Sequence, residues 1–398
     1  MEKKKIVLAY SGGLDTSAII PWLIDEYDAD VIAYCSDLGN APDKGWLARR
    51  AKELGATEFI FEDLKETLTK DYVFPAIRAG AIYQDDYLLG TALGRPLIAE
   101  RVATLAKEKG AFAIAHGATG KGNDQIRFEL AWAYLVPDIK IIAPWKIWDF
   151  KGRTDLVGYL TGKGFDVKNE ESRFSVDVNL LHRSCEGDIL EQVEKEFDPK
   201  EIYEWTKSPS ESSREPADLT IEFKKGIPVA VNGQNLTPAA LLEKLNEIGG
   251  EHGIGVADLI EERTNGIKCR GVYETPGGTL LHHACRVLKH LCWDRSMLNI
   301  ASNLGREYAD LVYDGMWHSD ARAAIDAFFE KAADVLTGKI SMKLVNGRIL
   351  ITGRHSSYSL YGQDLVSFEK DEFDLNGAAH GFCRTLSFRQ WQAGKRKK

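Results

Sequence analysis

Seven consecutive residues, Ser11-Gly12-Gly13-Leu14-Asp15-Thr16-Ser17, carry the strongest chemical signal in the chain. They follow the apolar run Ile6 to Tyr10 and precede an amphipathic stretch. Two glycines permit positive φ and close backbone approach. Backbone N–H groups, the hydroxyls of Ser11, Thr16 and Ser17, and the positive end of the following helix converge there. That is a phosphate-sized anion site. The segment fits neither the G-x-x-x-x-G-K-[ST] loop nor the G-x-G-x-x-G fingerprint. Asp15 inside such a site calls for a bridging cation, because a bare carboxylate repels phosphate. The plain alternative is a strand-to-helix turn with a serine cap.

A second loop opens at His116-Gly117-Ala118-Thr119-Gly120-Lys121-Gly122-Asn123-Asp124-Gln125-Ile126-Arg127-Phe128-Glu129. Three glycines sit here among Thr119, Lys121, Asn123, Asp124 and Arg127 within eleven residues. That is more polar chemistry than a glycine turn capping an ordinary helix requires. Arg127 follows Asp124 and Asn123 by three and four residues, so it shares their helix face.

Both loops need a frame. Ile6–Tyr10, Val31–Tyr34, Glu58–Phe61, Phe112–Ala115 and Lys140–Ala143 read as short buried strands. Between them, Thr16–Tyr27 (capped by Asp15 or Thr16), Lys44–Leu54, Leu93–Lys109 and Asp124–Tyr134 read as helices. This alternation predicts an α/β fold with a parallel, Rossmann-like sheet covered on both faces. Ligands of such sheets sit at the carboxyl ends of the strands, where both glycine loops lie.

The second half has a different pattern. Strands are expected at 219–222, 229–231 and 267–273, a helix at 238–248, and one helical block from Thr279 to Trp317. Asn346-Gly347 closes a hairpin of 340–345 with 348–352. This reads as an α+β domain. Residues 378–392 read as a helical tail. The expected units are 1–168, 169–365 and 366–398.

The chain has 398 residues and a formal charge of −8, with 44% hydrophobic and 28% charged residues, an ordinary globular balance. The acidic balance argues against a general nucleic-acid binder. No apolar run reaches the ~18 residues of a membrane span. Six cysteines without a C-x-x-C pair read as reduced thiols of a cytoplasmic protein.

S-G-G-x-D-[ST]-S after a first strand resembles the pyrophosphate loop of the N-type ATP pyrophosphatases, which cleave ATP between its α and β phosphates. The second loop is similar to the signature of the argininosuccinate synthases. Tyr87-Leu88-Leu89-Gly90-Thr91, Ile141-Ile142-Ala143-Pro144-Trp145 and Gly271-Val272-Tyr273-Glu274-Thr275-Pro276-Gly277-Gly278 extend the resemblance over nearly the whole chain. It implies ATP-dependent ligation of citrulline to aspartate through citrullyl-AMP, a step of arginine biosynthesis and the urea cycle. It also implies a homotetramer.

Carried over by position, the resemblance assigns ATP to Ala9, Tyr10, Ser11, Gly12, Gly13, Leu14, Asp15, Thr16, Ser17, Ser36 and Gly117. Aspartate falls to Thr119, Asn123 and Asp124, and citrulline to Tyr87, Asn123, Arg127, Ser175, Ser184, Glu261 and Tyr273. Asp15 and Asp124 take the catalytic roles, with Mg²⁺ carried on ATP and not held in a protein cage. Glu261 would meet the citrulline ammonium and Arg127 its carboxylate. Ala92 stands where the family carries a serine that contacts citrulline. Each assignment has a plain alternative: Ser175 and Ser184 as loop residues, Glu261 as a surface ion-pair residue, Tyr273 as core. Two other functions are weighed, a tRNA-thiolating enzyme and a nucleotide-binding module without turnover.

Overall fold

Ile6, Val7 and Leu8 are fully buried, and their side chains alternate between two packed faces. Ile6 and Leu8 join Ile19, Ile20 and Leu23 in one apolar cluster. Val7 joins Val102, Ala106 and Trp132 in another. A strand covered on both faces has apolar side chains at every position. Each such burial contributes roughly 1.5–3 kcal/mol.

The computed structural model describes residues 3–39, 41–120, 122–167, 173–366 and 375–396. Five strands form the first sheet: β1 (Lys4–Ala9), β2 (Ala29–Asp37), β3 (Glu58–Asp63), β4 (Ala113–Ala115) and β5 (Lys140–Ile142). Their order is β3-β2-β1-β4-β5, with every neighbouring pair parallel. The chain moves from β1 to β2 on one side and later places β4 on the other. The order therefore reverses at β1/β4, and a crevice opens beyond their carboxyl ends. Both glycine loops leave those two ends.

Nine strands build two antiparallel sheets in the second half. One has the order β10-β9-β8-β13-β14, from β8 (Ala217–Lys224), β9 (Ile227–Val231), β10 (Gln234–Asn235), β13 (Gly338–Val345) and β14 (Arg348–His355). The other has the order β11-β12-β7-β6, from β6 (Ser175–Val178), β7 (Arg183–Glu186), β11 (Val256–Glu262) and β12 (Lys268–Glu274). The largest core cluster joins helices of this half to Leu64, Phe74, Tyr87 and Leu97 of the first half.

Three expectations change. The first helix is Leu14–Tyr27 with Gly13 at its cap and no side-chain cap, not Asp15 or Thr16. Thr16 Oγ1 is occupied within the loop: it donates to the Gly13 carbonyl at 3.3 Å and lies 3.1 Å from Ser11 Oγ. The long helix spans Gly90–Lys109, starting three residues earlier than its apolar pattern. The block from 279 to 317 is two helices, Pro276–Cys292 and Arg295–Tyr313, because Asp294 caps the second by accepting from Met297 N at 2.8 Å. The tail is a helix over Leu375–Lys395.

The early start at Gly90 depends on a missing side chain. A Cβ there would lie 2.1 Å from Cγ of His182, itself fully buried. Gly90→Ala is expected to lower stability by about 1–3 kcal/mol through overpacking. A reduced urea midpoint with unchanged slope would show this; an unaltered midpoint would show that the imidazole gives way freely.

Candidate active site

A cavity of about 740 Å³ opens where β1, β2 and β4 end. Ala9, Tyr10, Ser11, Gly13, Leu14, Asp15, Thr16, Ser36 and Gly117 line it. Gly12 and Ser17 lie outside the lining and shape the turn. Gly12 has φ +80°, and a Cβ on it would meet Leu47 Cδ2 at 2.5 Å. Ser17 Oγ donates to the Gly12 carbonyl at 3.4 Å. With no side chain capping the Leu14–Tyr27 helix, its first-turn amides remain free of side-chain acceptors. Burial pushes the Asp15 carboxyl upward, opposed by Arg153, so a cation at this point would relieve it.

A second group of candidate residues, outside the cavity lining, is assembled by strand register. Ser175 pairs with Glu186, and Asp177 with Ser184, across β6/β7. Ser184 pairs with Tyr273 across β7/β12. Glu261 pairs with Cys269 across β11/β12. Directly opposed residues share a face, and so do residues two apart. Ser175, Asp177, Ser184, Glu186, Glu261 and Tyr273 therefore all stand on one face of this sheet. Ser184 is buried and donates to the Asp177 carbonyl at 3.4 Å, whereas Ser175 is exposed. Tyr87 is buried with its ring 4.7 Å from that of Tyr273.

Glu261 is 5% exposed, and its Oε2 has no hydrogen-bond partner. Burial, reinforced by the Glu186 charge, pushes its carboxyl up; Arg127 pulls the other way. Arg127 is buried, pairs with Asp124 at 3.1 Å and donates through Nε to the Tyr313 carbonyl at 3.0 Å. Asn123 is buried, with Oδ1 accepting from Thr264 N at 3.1 Å. Thr119 is exposed, and Lys121 lies outside the described residues.

A bridge between the two halves of the chain, along the cavity wall, was not evident from the motifs. Arg95 donates Nε to Asp124 at 2.9 Å and a terminal nitrogen to Asp177 at 3.0 Å. Thr91 Oγ1 donates to the same Asp177 oxygen at 2.8 Å and lies 3.1 Å from His182 Nε2. Burial alone would raise the Asp177 carboxyl, but Arg95, His182 and Thr91 together hold it far below the usual range. Arg95 sits one helical turn beyond Thr91, and Asp177 two strand positions beyond Ser175. Those spacings were the available signal. Ala92, one residue past Thr91, is buried in the core. Among the described residues, no group of three or more His, Cys, Asp or Glu side chains is placed to cage a metal.

The first half is an α/β domain of the HUP class: residues 5–166 match the arginosuccinate synthase N-terminal HUP domain. Residues 174–393 match the arginosuccinate synthase C-terminal domain. The argininosuccinate synthase of Caldanaerobacter subterraneus subsp. tengcongensis is 48% identical over 384 residues, 96% of this chain and 93% of that one. That of Oleidesulfovibrio alaskensis is 46% identical over 397 residues, 99% of each. The chain belongs to the argininosuccinate synthase family of ligases.

The strained Glu261 makes a ligand-free prediction. Its folded pKa is raised, so the native state binds more protons than the unfolded chain between the ordinary and the raised value. Stability therefore falls as pH climbs through that window and stays lower above it. Glu261→Gln is expected to melt higher than the parent at neutral pH, with the gain vanishing toward the ordinary carboxylate pKa of 4.5. Identical melting curves at neutral pH would contradict it.

Proposed function

We propose that this chain joins L-citrulline and L-aspartate into argininosuccinate, cleaving ATP to AMP and pyrophosphate, as a step of arginine biosynthesis. One observation carries the reading. Two buried groups of opposite charge, Glu261 with an unpartnered oxygen and Arg127, interact with one another, and Arg127 is paired with Asp124 of the cavity wall. An α-amino acid presents the complementary pair.

The ureido oxygen of citrulline attacks the α-phosphorus of ATP in line. The bond from that phosphorus to the bridging oxygen breaks, and pyrophosphate leaves. Ser11, Thr16 and the first-turn amides of Leu14–Tyr27 receive it. The amine of aspartate then attacks the ureido carbon of citrullyl-AMP. AMP departs, and a phosphate oxygen takes the amine proton. Asp124 orients the amine, while Asn123 and Thr119 donate to the carboxylates. Tyr87, Arg127, Ser175, Ser184, Glu261 and Tyr273 hold citrulline. Asp15 is the residue that would meet a Mg²⁺ ion carried on the triphosphate, which would neutralise phosphate charge there. Positioning and charge stabilisation suffice, and no covalent enzyme intermediate enters.

A tRNA-thiolating reading asks for a reactive thiolate. The cysteine of the cavity, Cys35, is buried, and its thiol is pushed up to about 11 by that burial. We also assign residues 1–168 to nucleotide binding, 169–365 to the amino acids and 366–398 to assembly. On the tail helix Phe382, Leu386, Phe388 and Trp391 are all more than half exposed. An apolar helix so exposed suits a homotetramer. The enzyme is assigned to the cytoplasm on its unpaired cysteines. Among the described residues, no helix is long and apolar enough to cross a membrane.

With MgATP, AMP, pyrophosphate and argininosuccinate are expected to accumulate in equal amounts only when citrulline and aspartate are both present. AMP release independent of citrulline would sink the proposal. Asp124→Asn is expected to raise KM for aspartate tenfold or more while ATP binding persists; an unaltered aspartate KM removes that role. Light scattering is expected to give four chain masses, and deletion of 366–398 a smaller particle. A monomer at full length would refute the assembly.

A further inference from the structure

Tyr313 closes the Arg295–Tyr313 helix, far in sequence from every motif. It is fully buried, and its hydroxyl has no hydrogen-bond partner. The charges of Glu261 and Arg127 act on that hydroxyl, and the Asn123 side chain offers it a hydrogen-bonding group. Glu261 Oε2 also lacks a partner. Two buried polar atoms left unmatched on neighbouring side chains are costly unless a ligand completes them.

The ring is fixed from several directions. It stacks on Tyr83 at 3.6 Å with 8° between planes and meets Tyr87 edge-on at 6.0 Å. The Arg127 guanidinium lies 5.1 Å from its centroid. Its carbonyl accepts from Arg127 Nε, and Thr264 Oγ1 donates to the neighbouring Asp314 at 2.8 Å. Gly315 then lets the chain pass close to Arg127: a Cβ there would lie 2.9 Å from Arg127 Cα. The hydroxyl cannot swing elsewhere for a partner. This helix end thus packs directly on Arg127.

We propose that Tyr313 is a further substrate-binding residue, whose hydroxyl hydrogen-bonds the α-amino-acid end of citrulline between Glu261 and Arg127. The assignment rests on the citrulline reading above and deepens it. Both charged groups of the substrate can use the hydroxyl: it donates to a carboxylate and accepts from an ammonium. It leaves the ureido group untouched, so binding should suffer more than turnover.

Tyr313→Phe removes one oxygen and keeps the ring and its stack. KM for citrulline is expected to rise about tenfold or more, as for loss of a hydrogen bond to a charged group. KM for ATP and aspartate is expected to stay within about twofold, with kcat falling less than KM rises and the melting temperature nearly unchanged. Unchanged citrulline KM overturns the proposal. A comparable rise in all three KM values also overturns it, because that marks a structural role. Glu261→Gln, assayed alongside, separates the two readings. If both variants bind citrulline normally, the citrulline pocket itself is misassigned; if only Tyr313→Phe does, this proposal alone fails.

Discussion

A guanidinium held between two carboxylates sets the geometry on which the site depends. Arg95 spans Asp124, which begins a helix of the first half, and Asp177, on β6 of the second. All three groups are mostly shielded from water. Removing one partner from such a buried pair costs about 3–5 kcal/mol, because the remaining charge stays desolvated. The halves are thereby held to one separation. The diphosphate loop and the polar face of the β11-β12-β7-β6 sheet keep a constant distance. A reaction whose two steps share one intermediate needs that constancy.

Polar groups here fall into two kinds. Asp177, Thr91 and Arg95 satisfy one another and form scaffold, and Arg95 also braces Asp124. Glu261 Oε2 and the Tyr313 hydroxyl are left over, and the first turn of Leu14–Tyr27 has no side-chain cap. Proteins rarely leave buried polar atoms unmatched. Leftovers that cluster beside a cavity mark where ligand atoms complete the network. The same logic explains why burial strains Glu261 while the equally charged Asp177 is content: Asp177 has Arg95 within hydrogen-bonding distance, and Glu261 does not.

The first half was legible because β1, β2 and β4 carry continuous apolar runs and the helices Lys44–Glu53 and Gly90–Lys109 run into Gly55 and Gly110. Such patterns depend on local packing alone. β6, β7 and β11 were not legible. β6 and β7 have four residues each, and Ser175-Val176-Asp177-Val178 alternates weakly, so pairing rather than composition makes them strands. Within the site, the glycine loops were readable because their chemistry is contiguous. Arg95, Asp177 and Tyr313 were not, since each gains its role from a partner on another element. Tyr313 in particular looks like an ordinary core aromatic until its unpaired hydroxyl is placed beside Glu261. Likewise the bond from Ser17 to the Gly12 carbonyl, which braces the loop, is not visible in the motif.

The arrangement of charges also dictates direction. On the proposed reading, citrulline gripped at its α-end by Glu261 and Arg127 presents one free end, the ureido group. Arg127 is paired with Asp124, and Asp124 lines the cavity, so Arg127 stands directly behind the cavity wall. In-line displacement requires the attacking oxygen and the departing pyrophosphate on opposite sides of the α-phosphorus. The same reading gives the leaving group to the uncapped amides of the far turn and the nucleophile's distant end to the oppositely charged pair, so that the α-phosphorus lies between two anchors that do not touch it. A net charge of −8 does not oppose this reading, because oriented amides and a few placed side chains attract a triphosphate locally, whatever the overall field.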